Sequence, residues 1–318
     1  MPARVPPLVV IAGPTATGKT GLAIRLAEWL RDEGRPAEII SADSRQVFRG
    51  LDIGTAKATA EEQARVPHHG LDLVDPDAPF SLADFADHAG AAVDGIAERE
   101  GVAILAGGTG LYLRAVARGI DTAALPSDAA VRAALEDALA RDGLASLTAR
   151  LAELAPSRMA SVDLHNPRRV VRALEIATLS GDVPLPPPRG YPGPVAWLGL
   201  RVDPAVHGRW IATRARAQFD AGLVDEARVL RTRYDPSLPA FSAIGYREAW
   251  AVLDGEATLE QAIELDAARN VAFAKRQRTW FRAEPDVTWL DTTAAPPDEP
   301  ARTIVRAMLE RTGAAPRS

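Results

Sequence analysis

Apolar residues in the first third of the chain gather in short runs, separated by longer stretches in which they recur every three or four positions. The runs LVVIA (8–12), AEIIS (37–41) and VAILAG (102–107) predict buried strands, and the patterns between them predict helices near 19–33 and 83–99. Strands and helices in alternation are the arrangement of a parallel α/β sheet. From about Asp121 the texture changes to alanine, leucine and arginine at helical spacing, as in DAAVRAALEDALARDGLASLTARLAEL, and runs on through NPRRVVRALEIATLSG. It stops at the proline-rich linker PLPPPRGYPGP (184–194), after which VAWLGLRVD (195–203) predicts a return to the sheet. Helices are predicted at about 205–232, 243–254, 258–282 and 299–311, and no internal repeat is present. The simplest organisation is an α/β core in two parts, 1–120 and 191–318, interrupted by an all-helical domain at 121–190.

The chemistry sits where strands end. Between LVVIA and the first helix, residues 13–20 read GPTATGKT, the G-x-x-x-x-G-K-[ST] pattern of a phosphate-binding loop in its required strand-to-helix context. In such a loop Gly13, Pro14, Thr15, Ala16, Thr17 and Gly18 turn the backbone so that N–H groups converge on phosphate. Lys19 reaches the terminal phosphates, and the Thr20 hydroxyl joins a magnesium shell. The motif predicts a P-loop NTPase-like core and is shared with ATP-binding proteins. It does not by itself say whether the ligand is a nucleotide.

After the second strand, ADSRQ places Asp43 where a carboxylate holds magnesium, acts as a general base, or, with Ser44, caps the next turn. After VAILAG comes GGTG, where an NTPase often carries an acidic metal-holding residue. Gly107 and Gly108 allow close backbone approach, and with the Thr109 hydroxyl they suit recognition of an amino group or leaving oxygen better than metal-driven hydrolysis.

A length of 318 residues predicts about two domains, and 47% hydrophobic content suffices for ordinary cores. No run of eighteen apolar residues occurs and MPARVPPLVVIAG lacks a signal-peptide pattern, so a soluble cytoplasmic protein without a membrane partner is expected. With no cysteine, disulfides, thiolate zinc sites and cysteine nucleophiles are excluded, and five histidines without H-E-x-x-H give little support for a histidine metal site. A net charge of −5 argues against a generally basic nucleic-acid-coating protein. Two local basic clusters stand out against it. RNVAFAKRQRTWFR (269–282) holds five basic residues and no acidic one, and NPRRVVR puts Arg168, Arg169 and Arg172 in the inserted domain. At 100° per residue, Phe273 and Trp280 share a stripe flanked by Arg269 and Arg276, with Lys275, Arg278 and Arg282 opposite. A helix with a solvated basic face is the common meaning of such a pattern; two separated clusters in an acidic chain point to a long polyanion.

GPTATGKT, SADSRQVFRGLDIGTAK, PHHGLD, GGTGLYL, NPRRVVRALE, SAIGYRE and AKRQRTWFR occur in the order and at about the spacing of the bacterial tRNA dimethylallyltransferases, also called tRNA isopentenyltransferases. The chain resembles that family from about Leu8 to Leu290, and DIGTAK and KRQ-T-W-R are specific to it. It departs at Phe48 and Leu51, where the family pattern has tyrosine and methionine, and at Gly70 after the paired histidines. The resemblance implies transfer of a dimethylallyl group from dimethylallyl diphosphate to the exocyclic amino nitrogen of the adenosine 3′ of the anticodon (position 37), with release of diphosphate. It implies Asp43 as the base, Thr109 holding the amino group, and Lys19, Mg2+ at Thr20 and Arg214 as stabilisers of the leaving diphosphate. The segments matching the family's tRNA contacts are Asp43, Ser44, Arg45 and Gln46; Thr109; Arg132; Arg168, Arg169, Val170, Val171 and Arg172; Ser242, Ala243, Ile244, Gly245, Tyr246 and Arg247; and Lys275, Arg276, Gln277, Arg278, Thr279, Trp280, Phe281 and Arg282. The expected partners are a tRNA anticodon stem-loop and the allylic diphosphate, and the expected state is a monomer.

Three rival readings share parts of this pattern. A small-molecule kinase has the phosphate loop and the strand-end aspartate but leaves the basic C-terminal helix unexplained. An adenylate isopentenyltransferase, acting on free nucleotides, has no need of two basic clusters. A non-catalytic RNA-binding module has no need of GPTATGKT with Asp43.

Overall fold

The computed structural model describes residues 5–122, 125–184 and 186–311; positions 1–4, read above for a leader, and 185 of the proline-rich linker lie outside them. The described chain forms two compact units, one made of the residues up to Gly119 with those from Gly190 onward, the other of Ile120–Arg189.

Strand β1 (Leu8–Ala12) is the centre of the first unit. Every one of its residues is fully buried, and side chains alternate: Leu8, Val10 and Ala12 join one apolar cluster, Val9 and Ile11 the other. Fully burying a Leu, Ile or Val stabilises by about 1.5–3 kcal/mol, so this pentapeptide anchors both faces. The chain then runs through α1 (Lys19–Asp32), β2 (Ala37–Ser41), α2 (Ala60–Arg65), β3 (His68–His69), α3 (Leu82–Glu98), β4 (Val102–Gly107) and α4 (Gly110–Ala117). After the second unit it resumes with β5 (Val195–Arg201). In the second unit lie α5 (Ala129–Leu154), interrupted at Gly143, then α6 (Pro156–Met159) and α7 (Pro167–Ser180). Helices α8 (Pro204–Asp220), α9 (Leu223–Arg231), α10 (Tyr246–Leu253) and α11 (Leu259–Arg282), strand β6 (Thr288–Asp291) and helix α12 (Asp298–Glu310) complete the first.

All six strands are parallel, in the order β3-β2-β4-β1-β5-β6. Helices α1 and α12 contribute to the cluster on one face; α3, α4 and α8 to α11 contribute to the cluster on the other. With a phosphate loop joining β1 to α1, this is a P-loop NTPase-like fold. Among the described residues no helix is long and apolar enough to cross a membrane.

Several elements differ from the sequence-based expectation. The single helix expected at 205–232 is two, because Gly222 takes φ 102° and breaks it between α8 and α9. The helix expected at 243–254 starts later, after a 3₁₀ turn at Pro239–Ser242. Strands β3 and β6, of two and four residues, were not anticipated.

The second unit packs α5 against α7 around Leu135, Leu147, Leu151, Val170 and Leu174. Buried among them is Glu175, with its side chain 0% exposed. Its carboxylate receives Arg132 at 2.8 Å and Arg172 at 2.6 Å, and also the backbone N–H of Asp128 at 3.0 Å. Burial opposes the charge, but the two arginines outweigh it and hold the Glu175 carboxyl down at about 2.

Candidate active site

The phosphate loop follows β1 and ends at α1, where Gly18 with φ 84° precedes Lys19. Inside it, Ala16 also has a positive φ, 58°, the turn that brings successive N–H groups to one side. The Lys19 ammonium donates to the Pro14 carbonyl at 2.7 Å, and the Thr17 hydroxyl donates to the same oxygen at 2.8 Å. Burial, then Arg214, pull the Lys19 pKa down to about 8, with Asp43 opposing them. Burial likewise pulls the Arg214 guanidinium below its ordinary value, against Asp43 and Asp266.

Thr15 is held at each of its polar groups by the C-terminal helices. Its N–H donates to Gln277 Oε1 at 2.8 Å, and its hydroxyl accepts from Arg214 at 2.7 Å. Its carbonyl lies 2.8 Å from His207 Nε2, and the other ring nitrogen of His207 is 3.3 Å from Arg278. A guanidinium can only donate, so Nδ1 of His207 accepts and Nε2 carries the proton given to Thr15. Gln277 also donates through Nε2 to the Gly108 carbonyl at 2.9 Å, joining α11 to the end of β4.

The loops after β2 and β4 meet beside this one. A Cβ at Gly107 would sit 2.1 Å from the Ala42 carbonyl oxygen, so only glycine fits there. Thr109 donates its N–H to that same oxygen at 3.1 Å, and its hydroxyl accepts the Ser44 N–H at 3.0 Å. Asp43 accepts the Arg45 N–H at 2.8 Å. Loop residues Thr15 to Thr20, Asp43, Gln46, Gly107, Gly108 and Arg214 all line one cavity of about 780 Å³.

Asp52, Ile53, Thr55, Ala56 and Lys57 of the segment DIGTAK (52–57) also line the cavity. The segment is fixed by side chains far away in sequence. Glu226 accepts the N–H groups of Ile53 at 2.8 Å and Gly54 at 3.3 Å, and Gln218 donates to the carbonyls of both. The Lys57 side chain, 3% exposed, pairs with Asp52 at 2.5 Å and Asp72 at 2.6 Å.

The profile of the family described as IPP transferase matches residues 46–284. The chain belongs to that family. It is 45% identical over 312 residues to the tRNA dimethylallyltransferase of Roseiflexus sp. (strain RS-1), covering 96% of this chain and 99% of the relative. It is 47% identical over 313 residues to the tRNA dimethylallyltransferase of Anaeromyxobacter sp. (strain K), covering 95% and 97%. The crystal structure of the full-length tRNA isopentenylpyrophosphate transferase from Bacillus halodurans superposes with a TM-score of 0.70 at 39% identity, covering 96% of this chain and 97% of that one. The IPP transferases so named are prenyltransferases. The family match begins at Gln46, past the phosphate loop and Asp43.

Exposure sorts the residues that the sequence assigns to RNA in this IPP transferase. In α11, Lys275, Arg276, Thr279 and Arg282 are exposed, Arg278 and Trp280 half-buried, and Gln277 and Phe281 buried. Ser242 and Arg247 are exposed and Ile244 is half-buried, while Ala243, Gly245 and Tyr246 face inward. The Tyr246 hydroxyl donates to Glu226 at 2.7 Å. Ser44, Arg45 and Gln46 are half-buried. In the second unit Arg168 and Arg169 are exposed, Val170 and Val171 lie in the core, and Arg132 and Arg172 are engaged by Glu175. The buried residues of α11 are Ala262, Ile263, Asp266, Asn270, Ala274, Gln277 and Phe281; of the aromatic stripe, Phe273 is exposed and Trp280 half-buried. Sequence reasoning missed His207, Gln218 and Glu226. Each acts across 160 residues or more, as Gln218 does on Ile53, and no local pattern marks them.

Proposed function

We propose that this chain transfers a dimethylallyl group from dimethylallyl diphosphate to the exocyclic amino nitrogen of adenosine 37 in tRNA, and releases diphosphate. The observation that carries this reading is the single cavity shared by a phosphate loop and a strand-end carboxylate, Asp43, in an IPP transferase. A kinase shares the loop and the carboxylate, so family membership weighs for the transferase reading, in which that carboxylate supplies a base for an incoming amine.

The amino nitrogen of adenine is a weak nucleophile because its lone pair is delocalised into the ring. As it attacks the allylic carbon, the N–C bond forms, the C–O bond to diphosphate breaks with its electron pair, and Asp43 takes the amino proton. The Thr109 hydroxyl keeps its own proton to donate while it accepts from Ser44, which suits it to orient the acceptor. Negative charge grows on the departing diphosphate, where loop N–H groups, Lys19 and Arg214 stabilise it most. Among the described residues no group of three His, Asp or Glu side chains could hold a metal. The Thr20 hydroxyl at the end of the phosphate loop would be the protein contact of a magnesium ion there. Such an ion supplies charge neutralisation for the leaving group.

An adenine stacked in an anticodon loop cannot enter a cavity of this kind, so it binds flipped out. The exposed arginines and lysine of α11 and of α7 are the candidate phosphate contacts, and the protein acts as a monomer in the cytoplasm. Incubation with magnesium, an unmodified anticodon stem-loop and dimethylallyl diphosphate, followed by mass spectrometry, tests the reading. A prenylated stem-loop is expected. Prenylated AMP with unmodified RNA, or transfer of phosphate from ATP, would overturn it.

A further inference from the structure

Gln277 falls within the segment that resemblance assigns to tRNA, yet its side chain is buried and spends both ends of its amide on the core. Its oxygen takes the Thr15 N–H. A trans peptide is planar, so the carbonyl of the same peptide, that of Pro14, must point the opposite way. That oxygen is the one on which the Lys19 ammonium and the Thr17 hydroxyl are docked. Gln277 is thus tied to Lys19 across one rigid plane. The next plane is fixed in the same manner. His207 holds the Thr15 carbonyl, so the N–H of Ala16 is turned to the opposite side, at the residue whose φ of 58° carries the turn. A non-glycine residue in that region costs on the order of 1 kcal/mol or more and persists only where its surroundings fix it.

We infer that Gln277 and His207 are positioning residues which, through the two peptide planes of Thr15, set Lys19 and the Ala16 N–H for the diphosphate. The inference rests on the diphosphate reading of the loop given above. It separates the two faces of the basic helix: Lys275, Arg276 and Arg282 look outward to RNA, and Gln277 looks inward to the loop.

The test is calorimetric titration of RNA-free protein with inorganic pyrophosphate and, in parallel, with dimethylallyl diphosphate, both with magnesium. Gln277→Met, similar in length and without hydrogen-bonding nitrogen or oxygen, is expected to weaken pyrophosphate binding about tenfold, the worth of one good hydrogen bond. Its affinity for an anticodon stem-loop is expected to stay within about twofold of wild type. His207→Gln, which restores a donor at the Nε2 position, is expected to bind pyrophosphate like wild type, and His207→Phe is expected to bind weakly. The His207 pair keeps the test open if Gln277→Met does not fold. Loss of RNA affinity with unchanged pyrophosphate affinity in Gln277→Met would overturn the inference, as would equal pyrophosphate binding by His207→Gln and His207→Phe. Wild-type protein that binds pyrophosphate but not dimethylallyl diphosphate would instead sink the transfer reading and leave this one standing.

Discussion

One carboxylate oxygen of Asp43, Oδ1, accepts the backbone N–H of Arg45 at 2.8 Å. Asp43 therefore shapes the turn after β2 as well as facing the cavity, and the two roles call for different substitutions. Asparagine keeps an oxygen for the Arg45 N–H and loses the proton acceptor; alanine loses both. Turnover of Asp43→Asn is expected to fall by about 10²- to 10⁴-fold, as for a lost general base, with stem-loop affinity little changed. Single-turnover assays of the two variants decide the matter. If Asp43→Asn is nearly as active as wild type while Asp43→Ala is not, the carboxylate serves the turn alone.

Lys19 gives a pH dependence with a definite sign. With its pKa pulled down to about 8 by burial and Arg214, free Lys19 loses its proton as pH rises through 8. Bound diphosphate favours the charged form and raises that pKa. Affinity is then full below pH 8 and falls above it, toward about tenfold per pH unit until the bound-state value is passed. Arginine stays charged throughout, so Lys19→Arg is expected to lack this fall. Calorimetric pyrophosphate titrations of both proteins from pH 6.5 to about 9.5 cancel the ligand's own ionisation, which is common to both. Parallel profiles would rule out the assignment to Lys19.

The exposed basic residues make a salt-dependent prediction. Replacing Arg168 and Arg169, or Lys275 and Arg276, by alanine should weaken stem-loop binding and flatten the plot of log affinity against log salt by about 0.7–0.9 for each phosphate no longer neutralised. Arg276 also lies over the Phe273 ring at 5.7 Å, so its loss removes a packing partner as well as a charge. Filter binding across a salt series is the measurement. A pair whose removal leaves slope and affinity unchanged is an ordinary solvated face.

Most of the sheet was legible because β1 and β4 are unbroken apolar runs, β2 and β5 are apolar apart from Glu38, Ser41 and Arg201, and the phosphate loop is contiguous in sequence. Strand β3 is only two residues, His68–His69, and neither is apolar. The aromatic stripe does not mark the inward face of α11, which buries Asp266, Asn270 and Gln277, polar residues satisfied by each other and the core, while Phe273 is exposed and Trp280 half-buried. Burial raises the Asp266 pKa to about 6, with Glu248 adding to the effect. His207, Gln218 and Glu226 were invisible because their partners are in the first 54 residues and only the fold unites them.

In the second unit, Glu175 should govern acid stability. Its folded-state carboxyl is held at about 2 against an ordinary 4.5, so the stabilisation is complete above pH 4.5 and is lost as pH falls toward 2. Removing the charge by Glu175→Gln leaves Arg132 and Arg172, 44% and 33% exposed, without their charged partner, at a cost of about 1.5–3 kcal/mol. Hydrogen exchange of amides in 129–180, which should speed up in the variant at pH 7, is the readout. Unchanged protection would mean that the arginines find water as readily as Glu175.

The placement of β5 beside β1 bears on how the protein is made. Leu8 pairs with Ala103 on one side and Val195 on the other, so the pairing with β5 spans 187 positions. At about 5–20 residues per second, roughly 10–40 s of synthesis separate the two strands. During that interval a sheet ending in β1 would present an entirely apolar open edge, the kind that recruits other chains. Helices α5 and α7, whose contacts are local, can form meanwhile. The chain is thus most exposed to misassembly while its insertion is being synthesised, and emergence of residues 195–201 is the event that closes the edge.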